Sequence, residues 1–318
     1  MSLSLAQYAE QLDSRRDLSW PAAPEVQRTK SKPHLRSLPQ VKAVTWNVYG
    51  TLLAVSGGHF TREHPQKFIM DMALDKTIQE FKMWKSMSRK PGQPADYMKV
   101  MISNCLDQLS LQVEKGETHP EIPHERIWEG ILKKLMQNEY VIESGKYGTT
   151  EECAVKIAYF FHRSLQGVGA QVTAADTVHW LFENKYWQGL LADGQAFTSL
   201  HLERSFAEQN PQVHLQQCIP NVNRVLSHAI RGKKPSERLF REMINKLKGY
   251  NIKPEETLHI SNDLDNDLGP ARKYGFLTCL YTGDSKSLVA SPKMVEDKNT
   301  RPLVMITELS QVIDMLKQ

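Results

Sequence analysis

Lys42-Ala43-Val44-Thr45-Trp46-Asn47-Val48-Tyr49-Gly50-Thr51-Leu52-Leu53 is the stretch on which the fold turns. A short apolar, β-prone run ends at a polar residue, and a Gly-Thr pair then redirects the backbone. A strand that runs into such a loop presents its C-terminal end, which is where open α/β sheets place their ligands.

After Gly57-Gly58 the pattern is helical. Phe68, Ile69, Met72, Ile78 and Phe81 fall near helical spacing, as do Tyr97, Met101, Cys105 and Leu109 behind Asp96. Ile127, Trp128, Ile131, Leu132 and Leu135 give the clearest apolar face, and Thr149 with Glu152 forms a capping box ahead of Ile157 and Phe161. Gly167 and Gly169 are expected to close that helix. No strand-like alternation interrupts this block. From Thr173 the texture changes. Strands are expected at Trp187–Ala192, 224–227, Thr257–Ser261, Leu277–Tyr281 and 303–306, with helices between them, including one over 236–248. Strands that alternate with helices imply a parallel sheet with right-handed crossovers. The opening strand must join that sheet, since a lone strand is not stable. The helical block is therefore an insertion within one α/β domain. The expected division is an N-terminal extension over 1–40, a core over 41–57 and 185–318, and a cap over 58–184.

Composition narrows the function classes. The chain has 318 residues, 40% of them hydrophobic and 24% charged, with a net charge of +4. Its lysines and arginines are scattered without interleaved aromatics, so no nucleic-acid partner is expected. No apolar run approaches the ~20 residues of a membrane-spanning helix, so no membrane partner is expected either. Cys105, Cys153, Cys218 and Cys279 lie far apart and read as reduced, packed thiols. With no apolar leader segment at the N-terminus, a cytoplasmic location is the expectation. Pro21, Pro24, Pro33 and Pro39 keep the extension extended, as a tail covering apolar surface.

The opening stretch resembles the nucleophile motif of the haloacid-dehalogenase-like (HAD) hydrolases, Asp-x-Asp-Gly-Thr-Leu or, in the dehalogenase branch, Asp-x-Tyr-Gly-Thr-Leu. Tyr49, Gly50, Thr51 and Leu52 match it, and Asn47 stands at the nucleophile position. Gly232-Lys233-Lys234-Pro235 resembles the family's Lys-Pro motif, with Lys234 as its lysine. Leu258 to Asp267 followed by Ala271 to Phe276 resembles its acidic motif and the helix behind it. The likeness spans 41–318 in the right order. It implies an α/β fold with a Rossmann-like parallel sheet, the HAD-like core, and an inserted all-helical cap domain.

The same resemblance implies an impaired site. In the family an Asp carboxylate attacks and forms a covalent ester; Asn47 is a neutral amide. The hydroxyl residue of the second motif falls at Ala192, and the first acidic position at Asn262. Asp267, with Asp263 as a weaker second, remains for magnesium, a hard cation that wants charged oxygens. No cofactor is expected, and magnesium only weakly. Tyr49 replaces the phosphatase general acid. Lys234 and the Gly50-Thr51 turn are the expected anion-binding groups. Asp263-x-Asp265-x-Asp267 has the spacing of a calcium loop opening, but Leu268 and Tyr274 stand where that loop needs Gly and Glu. The His59/His64 and His119/His124 pairs lack further ligands nearby, and Gly283–Ser287 lacks a phosphate-loop frame. Two functions follow. One is a non-catalytic HAD-like protein that binds a small anionic molecule or a partner. The other is an active hydrolase, of phosphatase or dehalogenase type, with Asp193 or Asp263 as a rearranged base.

Overall fold

The computed structural model describes residues 2–87 and 92–317. The opening strand is β1, Ala43–Trp46, buried throughout. It is followed by β2 (Leu53–Val55), β3 (Val168–Ala170), β4 (Trp187–Ala192), β5 (Arg224–Leu226), β6 (Thr257–Ser261), β7 (Leu277–Tyr281) and β8 (Val304–Ile306). The main sheet has the order β5-β4-β1-β6-β7-β8, and every neighbouring pair is parallel. Thr45 lies opposite Gly189 on one side and His259 on the other, so β1 is central. Parallel pairing brings the residues just after β1, β4 and β6 to a common edge. Those residues are Asn47, Asp193 and Asn262.

The long helices are α1 (Leu5–Asp13), α2 (Lys67–Glu80), α3 (Pro94–Ser110), α4 (His124–Met136), α5 (Thr150–Leu165), α6 (Ala174–Glu183), α7 (Thr198–Gln209) and α8 (Glu237–Gly249). Side chains alternate across a strand, and β1 shows it. Val44 and Trp46 pack in one cluster with Val178, Leu181, Leu202 and Phe206 from α6 and α7. Ala43 packs on the other face with Leu239, Phe240, Met243 and Leu247 from α8. The sheet is thus covered on both sides, and the near-continuous apolar strands follow from that.

Helices α2 to α5 build a separate core around Leu74, Trp128, Leu132, Ile157 and Phe160. The Thr149–Glu152 capping box opens α5, with reciprocal bonds of 3.3 and 3.0 Å. Three expectations need correction here. The cap does not run to residue 184, because Ala174, Ala175, Val178 and Leu181 of α6 pack with the sheet. The block between strands is also not free of strand: β2 and β3 pair antiparallel, Leu53 opposite Ala170, as a stalk into and out of the cap. Three residues are too few to show alternation in the sequence. Helix α5 stops at Leu165, and Gly169, expected to help close it, lies within β3. A Cβ on Gly167 would fall 1.8 Å from the Ala22 carbonyl oxygen, so only glycine lets the N-terminal segment cross there.

That segment does more than cover surface. Tyr8, Ala9 and Leu12 are part of the cap core. Asp13 takes both Arg163 of α5 and Arg204 of α7, joining cap to sheet layer. Further on, Thr29 Oγ1 donates to the Thr282 carbonyl at 2.6 Å, and His34 bridges Met305 of β8. Asp13→Ala is expected to cost about 1 kcal/mol, because the two ion pairs are partly exposed and only their network lifts them above ordinary surface pairs. Urea unfolding checks this; an unchanged midpoint would mean the pairs contribute nothing.

Candidate active site

Asn47 leaves β1 into the cleft below the cap, and its neighbours fix the orientation of its amide. The Lys234 ammonium can only donate, so Asn47 Oδ1 faces it, at 3.1 Å. The amide nitrogen then points the other way and donates to the Tyr49 carbonyl at 3.1 Å and to Asn262 Oδ1 at 3.0 Å. Asn262 Oδ1 also accepts from Thr51 Oγ1 at 2.9 Å, while its Nδ2 donates to the Ser287 carbonyl at 2.5 Å. Two amides are interlocked, with each group satisfied. Gly50, at φ 86°, makes room for them, since a Cβ there would lie 2.4 Å from Asn262 Nδ2.

Lys234 is buried and also reaches Asp267 Oδ2 at 2.5 Å, while the other oxygen of Asp267 is 2.8 Å from His259 Nε2. Burial alone would raise the Asp267 pKa; His259 and Lys234 beside it bring it down to about 2. The structure thus brings Asn47, Lys234 and Asp267 together. His259 was not expected. Its signal, a histidine in an otherwise apolar strand eight residues before Asp267, reads equally as a packed core residue.

Other expected groups are placed differently. The Gly50 and Thr51 N–H groups donate to the Leu53 and Val48 carbonyls at 2.7 and 3.1 Å, so neither of these two donors is left for an anion. The tightness of the turn that the Gly-Thr pair makes is what consumes them. Asp263 caps its own loop, accepting from the Asp265 and Asn266 N–H groups at 2.9 and 2.8 Å and from Asn266 Nδ2 at 3.2 Å. The Tyr49 hydroxyl is engaged by Thr198 Oγ1 at 3.1 Å and His201 Nδ1 at 3.0 Å, and burial raises its pKa above that of a free phenol. Among the described residues, no three His, Cys, Asp or Glu converge as a metal site. The four cysteines are free and buried.

A cavity of about 400 Å³ lies over these groups. Asn47, Lys234 and Asp193 line it from the sheet, and Phe60, Arg62 and His124 from the cap. Phe60 stacks on Tyr49 with ring centroids 4.3 Å apart. Arg62 brings a guanidinium whose Nε is buried with no hydrogen-bond partner among the described residues. Behind the cap wall, His124 Nδ1 and His162 Nε2 are 2.6 Å apart. Burial first, and then nearby Arg62, push the His124 pKa down to about 3. Arg62 was not anticipated and His124 was weighed only with His119 as a metal-ligand pair, because neither stands in a motif; the fold alone brings both to the cavity over Asn47.

No protein-family model matches the sequence, and no curated protein matches it. Several solved structures are similar to it in fold. YfnB from Bacillus subtilis, in a structure bound to magnesium, is 14% identical, covers 87% of this chain and 99% of its own, and has a TM-score of 0.44. A HAD phosphatase from Thermococcus onnurineus is 13% identical over 87% of this chain and 98% of its own, with a TM-score of 0.45. The L-2-haloacid dehalogenase from Xanthobacter autotrophicus, with chloropropionic acid covalently bound, is 15% identical over the same shares, with a TM-score of 0.43. These structures of HAD-like hydrolases are what the chain is similar to.

Proposed function

We propose that this protein is a HAD-like hydrolase-fold protein without nucleophilic chemistry, which binds a small anionic molecule in the cavity between cap and sheet. One observation carries the reading. The Asn47 amide nitrogen sits between the Tyr49 carbonyl and Asn262 Oδ1, donating to both. Each of those oxygens gives a lone pair to an N–H, and an amide offers neither the charge nor the basicity of a carboxylate. The same bonds disfavour magnesium: Asp267 gives both oxygens to Lys234 and His259, and Asp263 gives its own to its loop. Cations remain for an anion. Lys234, Lys233 and Arg62 all line the cavity.

The purified protein is expected to hydrolyse aryl phosphates no faster with magnesium than without it. Sites stripped of one catalytic member can keep roughly 10³–10⁴-fold catalysis over water, so the blank needs care. Magnesium-dependent turnover well above that blank would overturn the reading. Combined Asn47→Asp, Ala192→Ser and Asn262→Asp substitutions are expected to create measurable magnesium binding where the parent has none. Identical titrations for the two proteins would mean that the amide pair is not what excludes the metal.

A further inference from the structure

Four carboxyl groups line the cavity, and three are fully engaged. Asp267 and Asp263 are held as described above. Glu121 of the cap accepts from Ser227 Oγ at 2.8 Å and from Gln195 Nε2 at 3.2 Å. Asp193, just past the end of β4, is different. Its Oδ1 accepts the Lys234 backbone N–H at 2.9 Å. No donor among the described residues reaches its Oδ2, and that oxygen is not sealed off from the cavity.

An ionised carboxylate facing a bound anion repels it, whereas a carboxyl group carrying a proton donates a hydrogen bond to it. The backbone N–H on Oδ1 leaves Oδ2 as the oxygen to carry that proton. We propose that the cavity binds an oxyanion together with one proton taken up from solvent, held on Asp193 Oδ2 and shared with the anion beside the Lys234 ammonium. This rests on the anion-binding reading of the cavity. The ligand class is a molecule bearing a phosphate or carboxylate group, since both offer the acceptor oxygen that the arrangement needs.

The electrostatics support it. Burial raises the Asp193 pKa to about 7, while the Lys234 charge and N–H pull the other way. The groups facing Asp193 are Lys233 and Lys234 after β5, Asp263 and Asp267 after β6, and His59, Arg62, Glu121 and His124 from the cap side. His124 stays uncharged across the neutral range, its pKa being held near 3. Glu121 is also raised by burial, and is the rival acceptor that a test must separate.

Titration calorimetry on the full chain, with sulfate as the tetrahedral probe and glycolate as the planar one, tests the proposal, because neither probe changes charge between pH 5.5 and 8.5, roughly. Affinity is expected to be level below about pH 6 and to weaken about tenfold per pH unit above about pH 7, with uptake of one proton. Asp193→Asn keeps an oxygen for the Lys234 N–H and places an amide donor where the proton was. It is expected to bind at about pH 8.5 as tightly as the parent does at about pH 6, with no pH dependence. Glu121→Gln is expected to leave the profile unchanged. Binding of sulfate alone assigns a phosphate-bearing ligand, and binding of glycolate alone a carboxylate. A level profile in the parent, or a pH dependence that survives in Asp193→Asn, overturns the inference while leaving anion binding intact. If the parent binds neither probe at any pH, the anion-binding reading falls and this inference with it.

Discussion

Between pH 7 and pH 4.5, or thereabouts, the protein is expected to lose a few kcal/mol of stability, driven by three buried histidines. His124 and His201 have pKa values pushed down to about 3, and His162 lies well below its ordinary value. Burial is the first cause for each. Nearby positive charge adds to it, from Arg62 at His124 and from Arg163 and Arg204 at His201. In the unfolded chain the same imidazoles titrate near pH 6.5. A group whose folded pKa is depressed lends stability that is complete above its unfolded value and is lost as pH falls toward the folded one. The window therefore runs from about pH 6.5 to about pH 3, and each histidine can contribute up to ~1.4 kcal/mol per pH unit within it. Asp193 works in the opposite direction, because its raised pKa lets the folded state take up a proton as pH falls below about 7. The net slope is thus about one to two protons rather than three. Urea unfolding at several pH values measures it directly. Stability that stays level or rises from neutral to mildly acid pH would show that these imidazoles are not held neutral in the cap–sheet seam.

How much of this was legible in the sequence follows from distance along the chain. The parallel sheet and helical insertion were readable because apolar periodicity is local and repeats over many residues. Asn47, Lys234 and Asp267 were readable because each stands in a motif with a fixed order. Asp193 was seen only as a candidate, since an Asp before Gly194 looks like any turn residue until its open oxygen is placed in a cavity. Arg62 was missed, and His124 weighed only as a metal ligand beside His119, for a related reason: they approach Asn47 only after the cap has folded back over the sheet. The β2–β3 stalk was too short to carry a pattern. Assigning α6 to the cap failed because an amphipathic helix does not reveal which core its apolar face will meet.

Lys234→Met is expected to destabilise the protein by about 3–5 kcal/mol at neutral pH, the usual cost of leaving one member of a buried ion pair behind. Lys234 and Asp267 have side chains only 4% and 1% exposed and stand 2.5 Å apart. Without the ammonium, Asp267 keeps only His259, and Asn47 Oδ1 loses its donor. A buried carboxylate without its partner is pushed toward its neutral form. In the parent, the depressed pKa of Asp267 gives stability that is present above its unfolded value near pH 4 and lost only as pH falls toward about 2. In the variant that sign reverses, because burial then raises the pKa, and the deficit should shrink as the medium becomes acid enough to protonate Asp267. The companion test is Asp267→Asn in the Lys234→Met background. It removes the stranded charge and keeps an acceptor for His259, so it should recover most of the lost stability. A loss below about 1 kcal/mol, in the range of exposed pairs, would mean that solvent reaches the pair and that Lys234 is not the buried partner of Asp267. A full loss without rescue by Asp267→Asn would place the cost in packing around the lysine stem.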